Sequence, residues 1–198
     1  KKGATGITIL EPGDEYTRED GTTGVSYNAK KVFDVTQTTS RVKTTPTVSH
    51  DPRVLLKALI NNAPCKIVIS EELPADVGAV YKPEDKSIIV RQGMDAPDIF
   101  RALSQELAHA HMDKGEYSRA DCAFDAYCVS YVLCKRNSIA VDTFRFDRLP
   151  DSLKEMDAQG IRGELGHIRD VANEVSADMN RVLEAQQRSQ KSRDDGAR

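Results

Sequence analysis

The sequence predicts an α+β chain: a mixed or antiparallel sheet packed on two helices that carry polar stripes, followed by a long amphipathic helix. Three observations carry this expectation. Short β-branched runs at 6–10, 25–36, 65–70, 78–81 and 87–91 are bounded by Gly, Pro, Asn and Asp, as strands are. Two segments, 95–113 and 118–137, keep their apolar residues at helical spacing. A third, near 160–185, sets Ile161, Leu165, Ile168, Ala172, Val175, Met179 and Val182 at alternating four- and three-residue steps.

Each element has a local reason. Gly6-Ile-Thr-Ile-Leu10 reads as a short strand that Pro12-Gly13 ends. The polar stretch Thr17 to Gly24 contains Asp20-Gly21 and reads as an exposed turn before the strand at 25–36. Thr38 to Ser49 is rich in Thr and Ser, holds Pro46, and reads as a linker or extended crossing. Asp51-Pro52 starts a helix, with Asp51 as cap and Pro52 in the first turn, and Leu55, Leu56, Leu59 and Ile60 form its apolar face. The runs 78–81 and 87–91 form a hairpin through Lys82-Pro83-Glu84-Asp85. Asp95 or Asp98 starts the next helix, which bears Ile99, Phe100, Leu103, Leu107 and Ala110. The core is expected to hold Leu55, Leu59, Ile67, Ile69, Ile89, Leu103, Leu107, Ala126, Val129, Tyr131 and Val132. The 161–182 seam packs along its own domain or, as the alternative, forms a homodimer seam. From Gln186 onward the chain is polar and is expected to be disordered.

Composition narrows the function. The chain has 198 residues, enough for one domain or a little more; 39% are hydrophobic and 30% charged. A net charge of −3 argues against a nucleic-acid binder over its whole length. No apolar run approaches the roughly 18 residues of a membrane span, and no signal peptide is visible. The chain opens Lys1-Lys2-Gly3 and reads as a fragment. Cys65, Cys122, Cys128 and Cys134 form no C-x-x-C pair, and the six-residue steps among the last three splay them around a helix. They read as buried, reduced thiols of a cytosolic protein.

The chemistry-bearing stretch is Gln105-Glu-Leu-Ala-His109. It is one residue short of the H-E-x-x-H helix of zinc peptidases. In that motif two imidazoles one helical turn apart reach one Zn²⁺, and the Glu activates the metal-bound water. Here Glu106 and His109 are present and Gln105 stands in the first His position. Gln105, His109 and Asp113 form a polar ladder at four-residue steps, with Glu106 about 100° to one side. His111 falls off that ladder. Asp121 and Asp125 lie one turn apart on the following helix, and Asp125 is placed to complete a Gln105, His109, Asp125 set. Gln is a poor zinc ligand because its neutral carbonyl competes weakly with imidazole or thiolate. Three readings stay open: a zinc peptidase on that set, a harder cation held by His109, Asp113 and Asp125, or a hydrogen-bonded cluster without metal.

Four blocks resemble a known family: Gly3–Leu10, Lys31–Thr38, the helix Ala102–Asp113, and Ala126–Cys134. Together they look like the ArdC/LtrC-like proteins of bacterial conjugative plasmids and transposons, over roughly residues 3–147. The resemblance implies a zincin-like domain related to the ImmA/IrrE metallopeptidases, with the pattern H-E-L-A-H-A-x-x-H and then E-A-E-S-V-A-Y. It matches Gln105 to the first zinc His, Glu106 to the catalytic Glu, His109 to the second His and Asp125 to the first Glu of E-A-E, with Tyr127 in place of the second. Two of the three implied ligands are therefore changed.

Residues 1–50 are then expected to be a strand region, the tail of an upstream antirestriction or DNA-binding-like part. Residues 51–148 form a zincin-like core, 149–185 a helical extension and 186–198 a tail. The expected function is a degenerate zinc-metallopeptidase-like domain of a mobile-element protein, a non-catalytic binding or scaffold domain without metal. The alternative is an active zinc peptidase with Glu106 as base. The partner is expected to be a protein or peptide, with DNA reached only through upstream residues, no membrane, and a bacterial cytoplasmic location.

Overall fold

The structure, a computed structural model, describes residues 1–39, 50–61 and 63–196; the chain divides into two units, Lys1–Val48 and Ser49–Arg198.

The first unit is a hairpin of β1 (Ile7–Thr17) and β2 (Thr23–Val32), paired antiparallel. Asp20 makes its turn, accepting from the Thr22 amide at 2.9 Å and the Thr22 hydroxyl at 2.6 Å, while Gly21 takes φ +81°. The expectation that Pro12-Gly13 ends the first strand is corrected. The strand runs through to Thr17, with a register shift between Pro12 and Glu15, an irregularity of the kind that accommodates a proline. The hairpin is also a separate two-stranded sheet, not part of one five-stranded sheet as expected. Apart from Gly24 its residues are exposed or half-buried, so neither face carries a core of its own. A 3-10 turn over Val35–Gln37 follows, boxed by Asp34 and Gln37. Most of the expected 38–49 crossing lies outside the described residues.

The second unit begins with α1 (Pro52–Asn61), where the Asp51 carboxylate accepts from the Arg53 amide at 2.7 Å. The strands β3 (Lys66–Ser70), β4 (Ala79–Lys82) and β5 (Ser87–Arg91) form a sheet in the order β3-β5-β4, parallel between β3 and β5 and antiparallel between β4 and β5. Then come α2 (Ala96–Met112), capped by Asp95, and α3 (Arg119–Arg136), capped by Ser118. A short α4 (Asp151–Glu155) precedes α5 (Ala158–Gly196).

The core lies between the sheet and the helices. Phe100, Leu103 and Leu107 of α2 meet Ala126, Val129 and Leu133 of α3, Leu55 and Leu59 of α1, and Ile88 and Val90 of β5. The expected core members on the strands are corrected. Ile89 and Ile67 are half-buried, and Ile69 is 69% exposed. The buried face of β5 is Ile88 and Val90, paired with Ile67 and Ile69 of the edge strand β3. Tyr131 and Val132 are half-buried.

The 161–182 seam resolves into two parts. Ile168, Ala172, Val175 and Met179 are buried as α5 packs on α1, α2 and α3 of the same chain. Ile161 and Leu165 are exposed. The tail expected to be disordered from Gln186 continues α5 to Gly196, in a run that contains no proline. No helix among the described residues is long and apolar enough to cross a membrane.

Candidate functional site

Two capped helices and the loop between them assemble the polar centre of the second unit. α2 ends at Asp113, whose backbone turns out of the helix at φ −74°, ψ 92°. Gly115 then takes φ +119°, a conformation that L side chains rarely adopt, and the Asp113 carboxylate accepts from its amide at 3.1 Å. The chain doubles back, and Ser118 caps α3. Tyr117 and Arg119 are thereby returned against α2, one beside His109 and the other beside Glu106.

Glu106 is 3% exposed and fully engaged. Arg119 grips its carboxylate in bidentate fashion, Nη1 donating to Oε2 at 2.8 Å and Nη2 to Oε1 at 2.7 Å. The backbone amide of Tyr81, on edge strand β4, donates to Oε2 at 2.7 Å. The Glu106 bond raises the Arg119 pKa above its ordinary value.

His109 is 1% exposed, and its Nδ1 shares a 3.0 Å hydrogen bond with the Tyr117 hydroxyl. Burial holds its pKa below the usual histidine value against the opposing pull of the Glu106 carboxylate, so the ring stays neutral. Tyr117 sits edge-on to both His109 and Tyr81, with centroids 5.9 Å and 5.7 Å apart. Burial raises the phenol pKa of Tyr117, and burial with the Asp113 hydrogen bond raises that of Tyr81.

The remaining candidates point elsewhere. Asp113 leaves the ladder at the helix end, where it accepts from the Tyr81 hydroxyl at 2.8 Å and Lys86 Nζ at 3.3 Å. The Tyr81 bond keeps its pKa below the ordinary carboxylate value. Asp125 is 5% exposed and faces Glu164 of α5; burial and the Glu164 hydrogen bond push it up to about 7. Gln105 lines a cavity of about 230 Å³ with Gly78, Ala102, Tyr127, Ser130 and Phe144. Its amide has no hydrogen-bond partner among the described residues. From α3 it is therefore Tyr127 and Ser130, not Asp125, that share the cavity of Gln105. His111, off the ladder as expected, meets Glu174 of α5 at 3.2 Å.

Gln105, His109 and Asp125 are turned to three different neighbours, and no three His, Cys, Asp or Glu side chains among the described residues converge as ligands do. The cysteines add no nucleophile: burial pushes Cys65, Cys128 and Cys134 up to about 11, so they remain thiols. The sequence reading missed Arg119, Tyr117 and Tyr81. Arg119 carries a legible signal, because a cation in the first turn of a helix opposes the helix dipole and needs an anionic partner. Tyr117 and Tyr81 carry none.

No protein-family model matches the chain, and no curated protein matches it significantly. Among solved structures, it is similar to the metal-free crystal structure of the antirestriction protein ArdC from the R388 plasmid, with a TM-score of 0.56 and 19% identity over 91% of this chain and 73% of that one. The Mn(II)-bound structure of the same protein gives a TM-score of 0.45 and 20% identity over 93% and 73%. The chain has an ArdC-like α+β fold.

Proposed function

We propose that this chain is a non-catalytic binding or scaffold domain of an ArdC-like protein from a bacterial mobile element, built on a helix pair of the zinc-peptidase type. One observation carries the reading: Glu106, the residue that would act as general base, is buried with both oxygens on Arg119 and the Tyr81 amide. A general base must reach the proton it removes, directly or through one water. Here those positions are filled by protein donors on both sides. The neutral, phenol-bonded His109 completes a satisfied polar cluster that ties α2, α3 and β4 together. The fold shared with ArdC supports the mobile-element assignment. The partner is a protein or peptide, and Gln105 with its unpartnered amide is the former motif position open to it. The free thiols suit the cytoplasm.

The test is zinc binding by the full chain and by His109→Ala, measured by calorimetric titration and elemental analysis. The expected result is no stoichiometric zinc in either protein. One zinc per chain, lost in His109→Ala, would overturn the reading and restore the peptidase with Glu106 as base.

A further inference from the structure

The sheet of the second unit has an edge, β3, on which no strand pairs among the described residues. Lys66 N donates to Lys86 O at 3.1 Å, and Gln92 N donates to Ser70 O at 2.9 Å. In a parallel ladder alternate residues of a strand serve one neighbour. Lys66, Val68 and Ser70 therefore bond to β5, and the N–H and C=O groups of Ile67 and Ile69 point away from it. Among the described residues no strand pairs there. An edge is normally guarded by proline, a bulge, charges or a covering element. β3 has no proline and no bulge, and Lys66 at its start is its one charge. Ile69 is 69% exposed and Val68 37%, and Ile60 on the neighbouring helix is 40% exposed. An apolar groove of about 330 Å³ runs beside the strand, walled by Leu56, Ile60, Ile67, Ile69, Val90 and Ile99.

We propose that the free edge of β3 is a self-association surface, on which a second copy of this chain adds its own β3 antiparallel about Val68. The strand is complementary to itself in that register. Ile67 lies opposite Ile69 of the second copy, and the pair exchanges main-chain hydrogen bonds at both ends. Lys66 lies opposite Ser70 of the second copy, next to its Glu71 and Glu72, so the basic start of each strand meets the acidic end of the other. The two-fold makes every contact occur twice. Ile67 of one copy then closes over Ile69 and the mouth of the groove on the other, covering apolar surface that stands in water in the single chain.

The register gives a specific test. Val68 faces itself across the two-fold as a non-hydrogen-bonded pair, with Cα atoms about 4.5 Å apart, at the short end of the range of about 4.4–6.8 Å that a disulfide spans. The full chain and its Ile69→Lys variant are compared by sedimentation equilibrium from micromolar to millimolar concentration. Val68→Cys and Lys66→Cys are compared for covalent dimer under mild oxidation. The expected result is a monomer–dimer equilibrium whose dissociation constant rises by at least about tenfold in Ile69→Lys, roughly 1.4 kcal/mol. Val68→Cys should cross-link well ahead of Lys66→Cys. A chain that stays monomeric throughout, or a dimer indifferent to Ile69→Lys, overturns the proposal. Should Ile69→Lys fail to fold, equal cross-linking of the two cysteine variants overturns it instead.

Discussion

Replacing Glu106 by Gln tests whether this carboxylate is held for structure. In the folded chain it accepts from Arg119 twice and from the Tyr81 amide once. Gln keeps one oxygen, which can serve the donors now on Oε2. Its NH₂ must then face Arg119 Nη2, donor against donor, in place of a 2.7 Å bond. Hydrogen bonds to charged groups contribute about 1.5–3 kcal/mol each, and breaking a buried ion pair costs about 3–5 kcal/mol. The Arg119 side chain is 45% exposed and can swing into water, which lowers the cost to about 2 kcal/mol. For a chain of this size that is a drop in Tm of about 4–8 °C. Thermal unfolding at neutral pH of the wild type, Glu106→Gln, Arg119→Met and the double variant measures it. The double variant should lie well above the sum of the single losses, with a coupling of about 1–2 kcal/mol. A Glu106→Gln protein as stable as the wild type, or more so, would refute the reasoning. That is how a carboxylate behaves when it is kept for chemistry at the expense of stability.

Three further outcomes are expected. Gly78→Ala should cost about 1–3 kcal/mol, because its Cβ would lie 2.8 Å from the Cβ of Ala102; Ala102→Gly in the same chain should recover part of it in denaturant unfolding. Asp125 is raised from 3.8 to about 7 in the fold, so its contribution is fully present below pH 3.8 and is lost as pH rises to about 7. Stability–pH curves should show Asp125→Asn gaining on the wild type across that window and holding the gain above it. Tyr117→Phe removes the bond to His109 at a cost of about 1 kcal/mol. NMR titration of the His109 ring should still give a pKa below the usual value, since burial is the larger cause, whereas a value returning to that of free histidine would count against burial as the cause.

The helices were legible because each repeats a 3.6-residue period and carries its own caps: Asp51, Asp95 and Ser118 each accept from an amide of the first turn. The strands were legible in place but not in parity. The run Ile88-Ile89-Val90 is apolar throughout, so alternation cannot say which residues face the helices; pairing with β3 and β4 decides for Ile88 and Val90. The separation of the first hairpin from the sheet was equally hidden, because alternation names a strand and not its neighbour. At the C-terminus the polar residues 186–196 lack an apolar face of their own, yet they extend a helix that is already formed, where no new nucleus is needed.

At the site, the sequence by itself determined the three-residue spacing that puts Glu106 and His109 on adjoining faces of one helix, and the change of the first motif position to Gln105. Those follow from helical periodicity, which is a local property. It could not say what each side chain meets. The ladder Gln105, His109, Asp113 holds only while the helix lasts, and the helix ends at Asp113. The 113–118 loop brings Arg119 and Tyr117 back against α2, and the rotation of α3 turns Asp125 to Glu164 and leaves Tyr127 and Ser130 beside Gln105. Whether Glu106 is a free base or one half of an ion pair depends on contacts thirteen and twenty-five residues away, and only the packing of α2 against α3 and β4 sets those.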